Sequence, residues 1–377
     1  MPSIRQLQIT SFRNISEAKL DFAPHLNLIA GDNGSGKSSL LEAVHYAGLG
    51  RSFRNTRQTP VIQHDKESCA VYCLLDNAAF LGLSKTNKGV NEIRVNGEKA
   101  STSAELARLL PLQLLNAETF QLLEGGPKAR RQFIDWGVFH VEHRFHDAWR
   151  NFKRCLQNRN TLLRKQAGTS EMAPWNHEFC RLAEVIDDFR HSYLEIYLPE
   201  LAKTISRLVQ QDGLEFRYSR GWKSEFSILE AIERSWDRDR IVGHTTAGPH
   251  RADLKINIDS QPAAAILSRG QQKLVASAMK LAQGAHLANL SGNSCVYLID
   301  DLPAELDRKN RQKVCAVLHD LGGQVFITGT EKTELIDTLQ TSGFDAMESK
   351  LFHVKHGRIE ASETGPKPAQ EKPEKPS

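Results

Sequence analysis

The sequence predicts an α/β fold, a mixed sheet core split by a long helical insertion. Three observations predict it. An apolar segment, HLNLIA, runs straight into a glycine-rich loop, GDNGSGKSS. A second apolar run, CVYLIDD, ends in two aspartates far downstream at Asp300 and Asp301. Between the two lies a long charged stretch whose apolar residues recur at helical spacing. The expected divisions are 1–117 and 241–362 for the two parts of the sheet core, here called the head, 118–240 for a basic helical arm, and 363–377 for a tail.

The first part of the head opens with short apolar runs, Ile4, Leu7 and Ile9, then Leu26, Leu28 and Ile29, which read as strands. Leu40, Leu41, Val44 and Ala47 give the next helix an apolar face. Residues 61–98 return to strand patterning, and Asn96-Gly97 predicts a hairpin turn. From Glu118 the periodicity turns helical: Ile134, Val138, Val141 and Phe145, then Leu182, Val185, Ile186 and Phe189. Pro174 predicts a break between two helices. After Ile241 strands resume. The tail from Glu363, rich in Pro, Lys and Glu, is expected to be disordered.

Composition narrows the function classes. The chain has 377 residues, 40% hydrophobic and 25% charged, ordinary for a folded protein. A net charge of +4 is too mild to reveal a nucleic-acid partner, so the distribution of charge must decide. No apolar run approaches the ~20 residues of a membrane helix, and the N-terminus has no secretory pattern, so a cytoplasmic protein without a membrane partner is expected. Six cysteines without a Cys-x-x-Cys pair fit a reducing compartment. His140, His143 and His146 would diverge by about 120° on a helix, too far to share one metal ion.

Gly31, Asp32, Asn33, Gly34, Ser35, Gly36, Lys37 and Ser38 match G-x-x-x-x-G-K-[ST] in full. Glycines let the backbone wrap a phosphate chain with its N–H groups inward, and the following helix adds its positive end. Lys37 would reach the β- and γ-phosphates of ATP, and Ser38 would ligate Mg2+. An apolar strand in a parallel sheet delivers its last residues to the ligand crevice. Asp300 is therefore the second expected Mg2+ residue, and Asp301 the residue that orients the attacking water or takes its proton.

Ser268, Arg269, Gly270 and Gln271 precede a long helix. Serine and free amides at such an end suit a γ-phosphate. The segment resembles the ABC ATPase signature, Leu-Ser-Gly-Gly-Gln, with Arg269 in place of the first glycine. That resemblance implies an ABC-type P-loop ATPase head whose signature meets the phosphate held by a second copy, making an ATP-dependent homodimer. Pro303 to Asp307 looks like the D-loop of the same interface. Where transporters carry a switch histidine, this chain has Thr328-Gly329-Thr330.

Several blocks in order, FRNISEAKLDF, GDNGSGKSSLLEAVHYAGLGRSFR, LPLQLLNAETFQLLEGGPKARRQFIDWGVFH, FKRCLQNRN, TTAGPHRADLKI, LSRGQQKLVASAMKLAQ and YLIDDLPAELD, resemble the RecF family across most of residues 1–330. The resemblance implies ABC/SMC-type heads that bind double-stranded and gapped DNA and act with RecR and RecO to load RecA. Ala252 stands where many members have an acidic residue, and NAETF replaces the usual Pro-Glu pattern. That change leaves Gln113 and Gln121 both open as the Q-loop residue.

The run 128–165 is the expected DNA surface, with Arg130, Arg131, Lys153 and Arg154 foremost. Arg51, Arg54 and Arg57 form a second basic patch near the cradle. Asp301 is one methylene shorter than the usual ABC glutamate, so slow, DNA-stimulated hydrolysis is expected. A transporter ATPase subunit shares the cradle and signature but needs an apolar coupling surface, whereas this insertion is basic. A DNA-binding protein with a vestigial nucleotide site is the other alternative. An SMC-type tether is disfavoured, because no sustained heptad run is present.

Overall fold

A computed structural model describes residues 3–54, 60–89, 91–292, 294–345 and 348–362. Arg57 and the tail 363–377 lie outside them. The chain divides into two compact units, 1–117 with 292–377, and 118–291. The second unit ends beyond the expected limit at 240. Residues 241–291 pack with it because the helix that closes this stretch buries its apolar side on helices of the insertion.

The first unit begins with β1 (Ile4–Phe12), β2 (Ile15–Asp21) and β3 (Leu26–Ala30). β1 alternates buried and exposed residues, as a half-buried strand must, whereas all five residues of β3 are buried. α1 (Lys37–Leu49) follows the glycine loop. Leu40 to Gly48 are all buried, so this helix is enclosed on nearly every side and is more than the single apolar face expected. Its two coverings explain this. Ile4, Leu7 and Ile9 pack on it from one sheet, and Val296, Leu298 and Phe326 from another, in one hydrophobic core.

β4 (Ser68–Leu75), β5 (Phe80–Thr86), β6 (Asn91–Val95) and β7 (Glu98–Lys99) complete an antiparallel sheet in the order β2-β1-β4-β5-β6-β7. The expected Asn96-Gly97 hairpin is present: Val95 pairs with Glu98, and both turn residues have positive φ. α2 (Ser103–Leu109) and β8 (Leu112–Leu115) bring the chain to the second unit.

That unit is built on α3 (Pro127–Val141), α4 (Phe145–Arg164) and α5 (Thr169–Leu208). The 40 residues of α5 span about 60 Å. Pro174 does not break it, contrary to the sequence expectation. Pro174 is exposed, so water can meet the carbonyl that loses its donor, while Met172, Phe179 and Leu182 hold both sides of the proline in the core. β9 (Leu214–Ser219), α6 (Ile228–Arg234), α7 (Trp236–Val242), β10 (Asp253–Ile258), β11 (Gln261–Pro262), α8 (Ala263–Ile266) and α9 (Arg269–Ser291) follow. β9, β10 and β11 form a small antiparallel sheet.

Two fully buried arginines tie this unit together. Arg159 donates to Asp239 (3.1 Å), to Asn176 (2.9 Å) and to Thr245. Arg190 donates to Asp135 (2.9 Å) and to the Pro249 carbonyl (2.7 Å). His250, on the same turn, is pushed down to about 4 by burial and is held neutral against Phe152 and Phe179.

The chain returns to the first unit with β12 (Val296–Ile299), α10 (Leu302–Glu305), α11 (Arg308–Leu321), β13 (Val325–Gly329), α12 (Lys332–Thr341), β14 (Ser349–Lys355) and β15 (Arg358–Ser362). The second sheet has the order β15-β14-β3-β13-β12-β8, parallel except for the β15 edge. Among the described residues, no helix is long and apolar enough to cross a membrane.

Candidate functional site

Parallel strands release their chains at one edge, and here three of them release chemistry there. Gly329 is level with Ala30, and Ile299 with both Ile327 and Leu115. The loop after β3, the turn after β13 and the aspartates after β12 therefore share one crevice.

The glycine loop is shaped by close approach. A side chain at Gly31 would collide with the Val354 carbonyl of β14. Gly36 has φ +121, and a Cβ there would lie 2.9 Å from the Asn14 amide. That amide fastens the loop by donating to the Ser35 carbonyl at 3.1 Å. Lys37 is buried, and its ammonium donates to the carbonyls of Gly31 (2.7 Å) and Asp32 (3.0 Å). Asp32, Asn33 and Gly34 are exposed at the loop's rim, while Ser35 is buried.

Ser38 donates to Asp300 Oδ1 at 2.9 Å, joining residues 262 apart in sequence. The Thr328 hydroxyl donates to the same carboxylate oxygen at 2.8 Å and accepts the Asp301 N–H at 2.7 Å. Thr328 thus sets both aspartates, a role that sequence reasoning missed. Asp301 adopts a left-handed conformation, φ 54 and ψ 48, uncommon for a residue with a side chain. Its Oδ1 is shielded from solvent and has no hydrogen-bond partner among the described residues. Burial raises its pKa, the Lys37 ammonium pulls it down, and the Asp300 carboxylate pushes it up.

The Asp300 N–H donates to the Leu115 carbonyl at 2.9 Å, so Asn116 is the residue that follows β8 at the crevice edge. The sequence leaves Gln113 and Gln121 open for that place. Gln113 is buried within β8, and Gln121 sits on an exposed turn of the second unit. The register of a short strand, which sequence alone does not reveal, puts Asn116 there.

A cavity of about 550 Å³ opens over the cradle, lined among others by Arg13, Asn14, Lys37, Ser38, Asp300 and Asp301. Arg13 forks onto the buried Glu42 at 3.0 and 2.6 Å. Arg54, expected on DNA, lines this cavity and lies 3.7 Å from the same carboxylate. Arg51 is exposed just beyond α1.

In the second unit, Ser268 sits immediately before α9 in a reciprocal cap. Its hydroxyl accepts the Gln271 N–H at 3.3 Å, and the Gln271 side chain accepts the Ser268 N–H at 2.9 Å. Ser268, Arg269 and Gly270 are all exposed. In the first unit, Asp307 ends the D-loop segment by capping α11 through the Asn310 N–H at 3.0 Å.

Two of the arginines expected on DNA have partners within the protein. Arg130 is committed internally: it forks onto Asp253 at 2.7 and 3.1 Å and donates to the Gly125 carbonyl at 2.7 Å. Arg131 donates to the Ala252 carbonyl at 2.7 Å and is partly buried. Lys153 and Arg154 are exposed, with Lys153 resting 5.2 Å above the Trp149 ring.

A glycine cradle, an acidic strand end and an exposed signature on this sheet order define an ATPase head of the ABC class. The family model for the RecF/RecN/SMC N terminal domain matches residues 3–352. The DNA replication and repair protein RecF of Pseudomonas entomophila (strain L48) is 44% identical over 364 residues, 95% of this chain and 98% of that protein. RecF of Pseudomonas aeruginosa (strain LESB58) is 44% identical over 367 residues, 96% and 98% of the two chains. A solved structure of the recombination mediator protein RecF-ATP in the RecFOR pathway has a TM-score of 0.84 at 25% identity, covering 96% of this chain and 98% of that one. An Smc head domain with an extended coiled coil from Pyrococcus furiosus shares the fold, with a TM-score of 0.58 at 17% identity and 96% of each chain covered. The chain belongs to the RecF family.

Proposed function

We propose that the protein is an ATP-dependent DNA-binding protein of recombinational repair and replication, whose two copies close on DNA around shared ATP. The observation that carries this is the convergence of Lys37, Ser38, Asp300, Asp301 and Thr328 on one sheet edge, with the Ser268 signature exposed. Support comes from the RecF relatives and from the ATP complex of one of them.

The residues divide the work. Lys37 exchanges its loop carbonyls for β- and γ-phosphate oxygens. Ser38 and Asp300, hard oxygen donors already 2.9 Å apart, fit Mg2+, which favours such ligands with waters and phosphates. That ion, when bound, neutralises charge on the phosphates. Asp301 takes the proton of the attacking water as the bond to the β-phosphate breaks, leaving ADP and phosphate. Its short side chain keeps turnover slow. Ser268 of the second copy donates to the γ-phosphate, so hydrolysis dissolves the contact. Within a RecFOR-type pathway the closed dimer marks duplex at a gap, where RecO and RecR load RecA.

The test is binding to a gapped duplex with and without ATP. ATP should tighten binding by roughly 5- to 150-fold, the usual span of coupling between two sites. Lys37→Ala should abolish that gain. Equal ATP stimulation in the variant would overturn the reading.

A further inference from the structure

The basic run 128–165 spends much of its charge inside its own unit. Arg130, Arg159 and Arg131 are committed internally, and Arg144 and Arg150 pair with Glu142 and Asp147. Cations without an anion stand elsewhere. In the small sheet, Arg217 of β9 lies directly opposite Lys255 of β10. Both are exposed, and neither makes an ion pair or side-chain hydrogen bond among the described residues.

The register explains the arrangement. Leu254, Ile256 and Ile258 face Tyr218, Phe216 and Leu214 on one side of the sheet. The other side carries Asp253, Lys255 and Asn257 against Ser219, Arg217 and Glu215. Directly opposite residues have Cβ atoms roughly 5 Å apart, and like charges so placed repel. The two cations repel there, an effect that Glu215, diagonal to Lys255 on the same side, offsets in part. A bound anion would offset the rest.

The surroundings add to the positive side. Arg217 and Lys255 line a cleft of about 620 Å³ with Arg220, Trp222 and Lys223. Arg220 stacks 4.5 Å over the Trp222 ring, but it also donates to the Phe226 carbonyl at 2.7 Å and lies 3.8 Å from Asp187, so its charge is partly spent internally. Lys223 pairs with the exposed Glu225 at 3.4 Å and lies 5.7 Å from the Phe226 ring. On the far wall Asp187 is already engaged by the Tyr218 hydroxyl at 2.9 Å, which leaves Asp188 as the remaining carboxylate of the lining.

We propose that the Arg217–Lys255 pair on the outer face of this sheet binds the phosphate backbone of duplex DNA. The inference rests on the DNA-binding reading above and names a contact surface for it. The spacing suits one phosphodiester between the two cations, and Lys223 supplies the next contact along the strand. No base edge is read, so the contact is independent of sequence.

The experiment uses the full chain and a fluorescent duplex, with affinity followed through a salt titration. The double variant Arg217→Ala, Lys255→Ala should bind roughly tenfold or more weakly. Its plot of log affinity against log salt should be shallower by about 0.9, the one phosphate that the two cations share. Its melting temperature should match or exceed that of the unmodified protein, because a repulsion is gone. The swap Arg217→Lys, Lys255→Arg should retain the original slope. An unchanged affinity and slope in the alanine double variant overturns the proposal, and leaves an acidic protein partner as the alternative for this surface. Should the unmodified protein bind no duplex at all, the DNA-binding reading itself fails, and this one with it.

Discussion

The two units treat charge in opposite ways. In the first, charged and hydroxyl groups gather at one open sheet edge. Lys37 makes do with loop carbonyls, and Asp301 keeps a carboxylate oxygen without a partner among the described residues. In the second, Arg159 and Arg190 are fully buried and tied to Asp239 and Asp135, and Arg130 is locked onto Asp253. A cluster held for chemistry faces an open crevice, whereas one that holds a fold pairs its charges in the interior. An arginine in a basic run can be of either kind, and its pairing tells which.

The largest expected effect breaks the structural kind. Arg159→Leu strands the Asp239 carboxylate in the interior, and removing one member of a buried pair costs about 3–5 kcal/mol. Denaturant unfolding of the full chain measures this. An unchanged midpoint would mean that the Arg159 network contributes nothing to the fold. The next effect concerns the chemical kind. Asp301→Asn removes the proposed proton acceptor and should slow ATP hydrolysis by about a hundredfold or more. Because burial already disfavours that charge, unfolding stability should stay level or rise. A variant that hydrolysed ATP normally but unfolded early would reverse the contrast between the units.

The same contrast explains what could be read from the sequence. The cradle lies in eight consecutive residues, Gly31 to Ser38, and the acidic strand announces itself by an apolar run ending at Asp300. Both are local, so strand and helix periodicity around them sufficed. Thr328 was seen only as the place of a missing histidine. Its link to Asp300 and Asp301 depends on β13 lying between β3 and β12, a fact of strand order. Asn116 required the β8 register, and the commitment of Arg130 to Asp253 spans 123 residues. The Arg217–Lys255 pair escaped notice because neither residue belongs to a charge run. Pro174 misled because propensity treats a proline alone, whereas tertiary packing carries α5 through it.

The most direct test of the account is sedimentation of Ser268→Asp beside the unmodified protein, with and without ATP. Aspartate caps a helix about as well as serine, so α9 should keep its start, but its charge would face the γ-phosphate. The account predicts that the unmodified protein becomes a dimer on adding ATP, while the variant binds ATP and stays a monomer. A variant that dimerised with ATP as readily as the unmodified protein would show that Ser268 meets no phosphate, and would contradict the shared-nucleotide dimer.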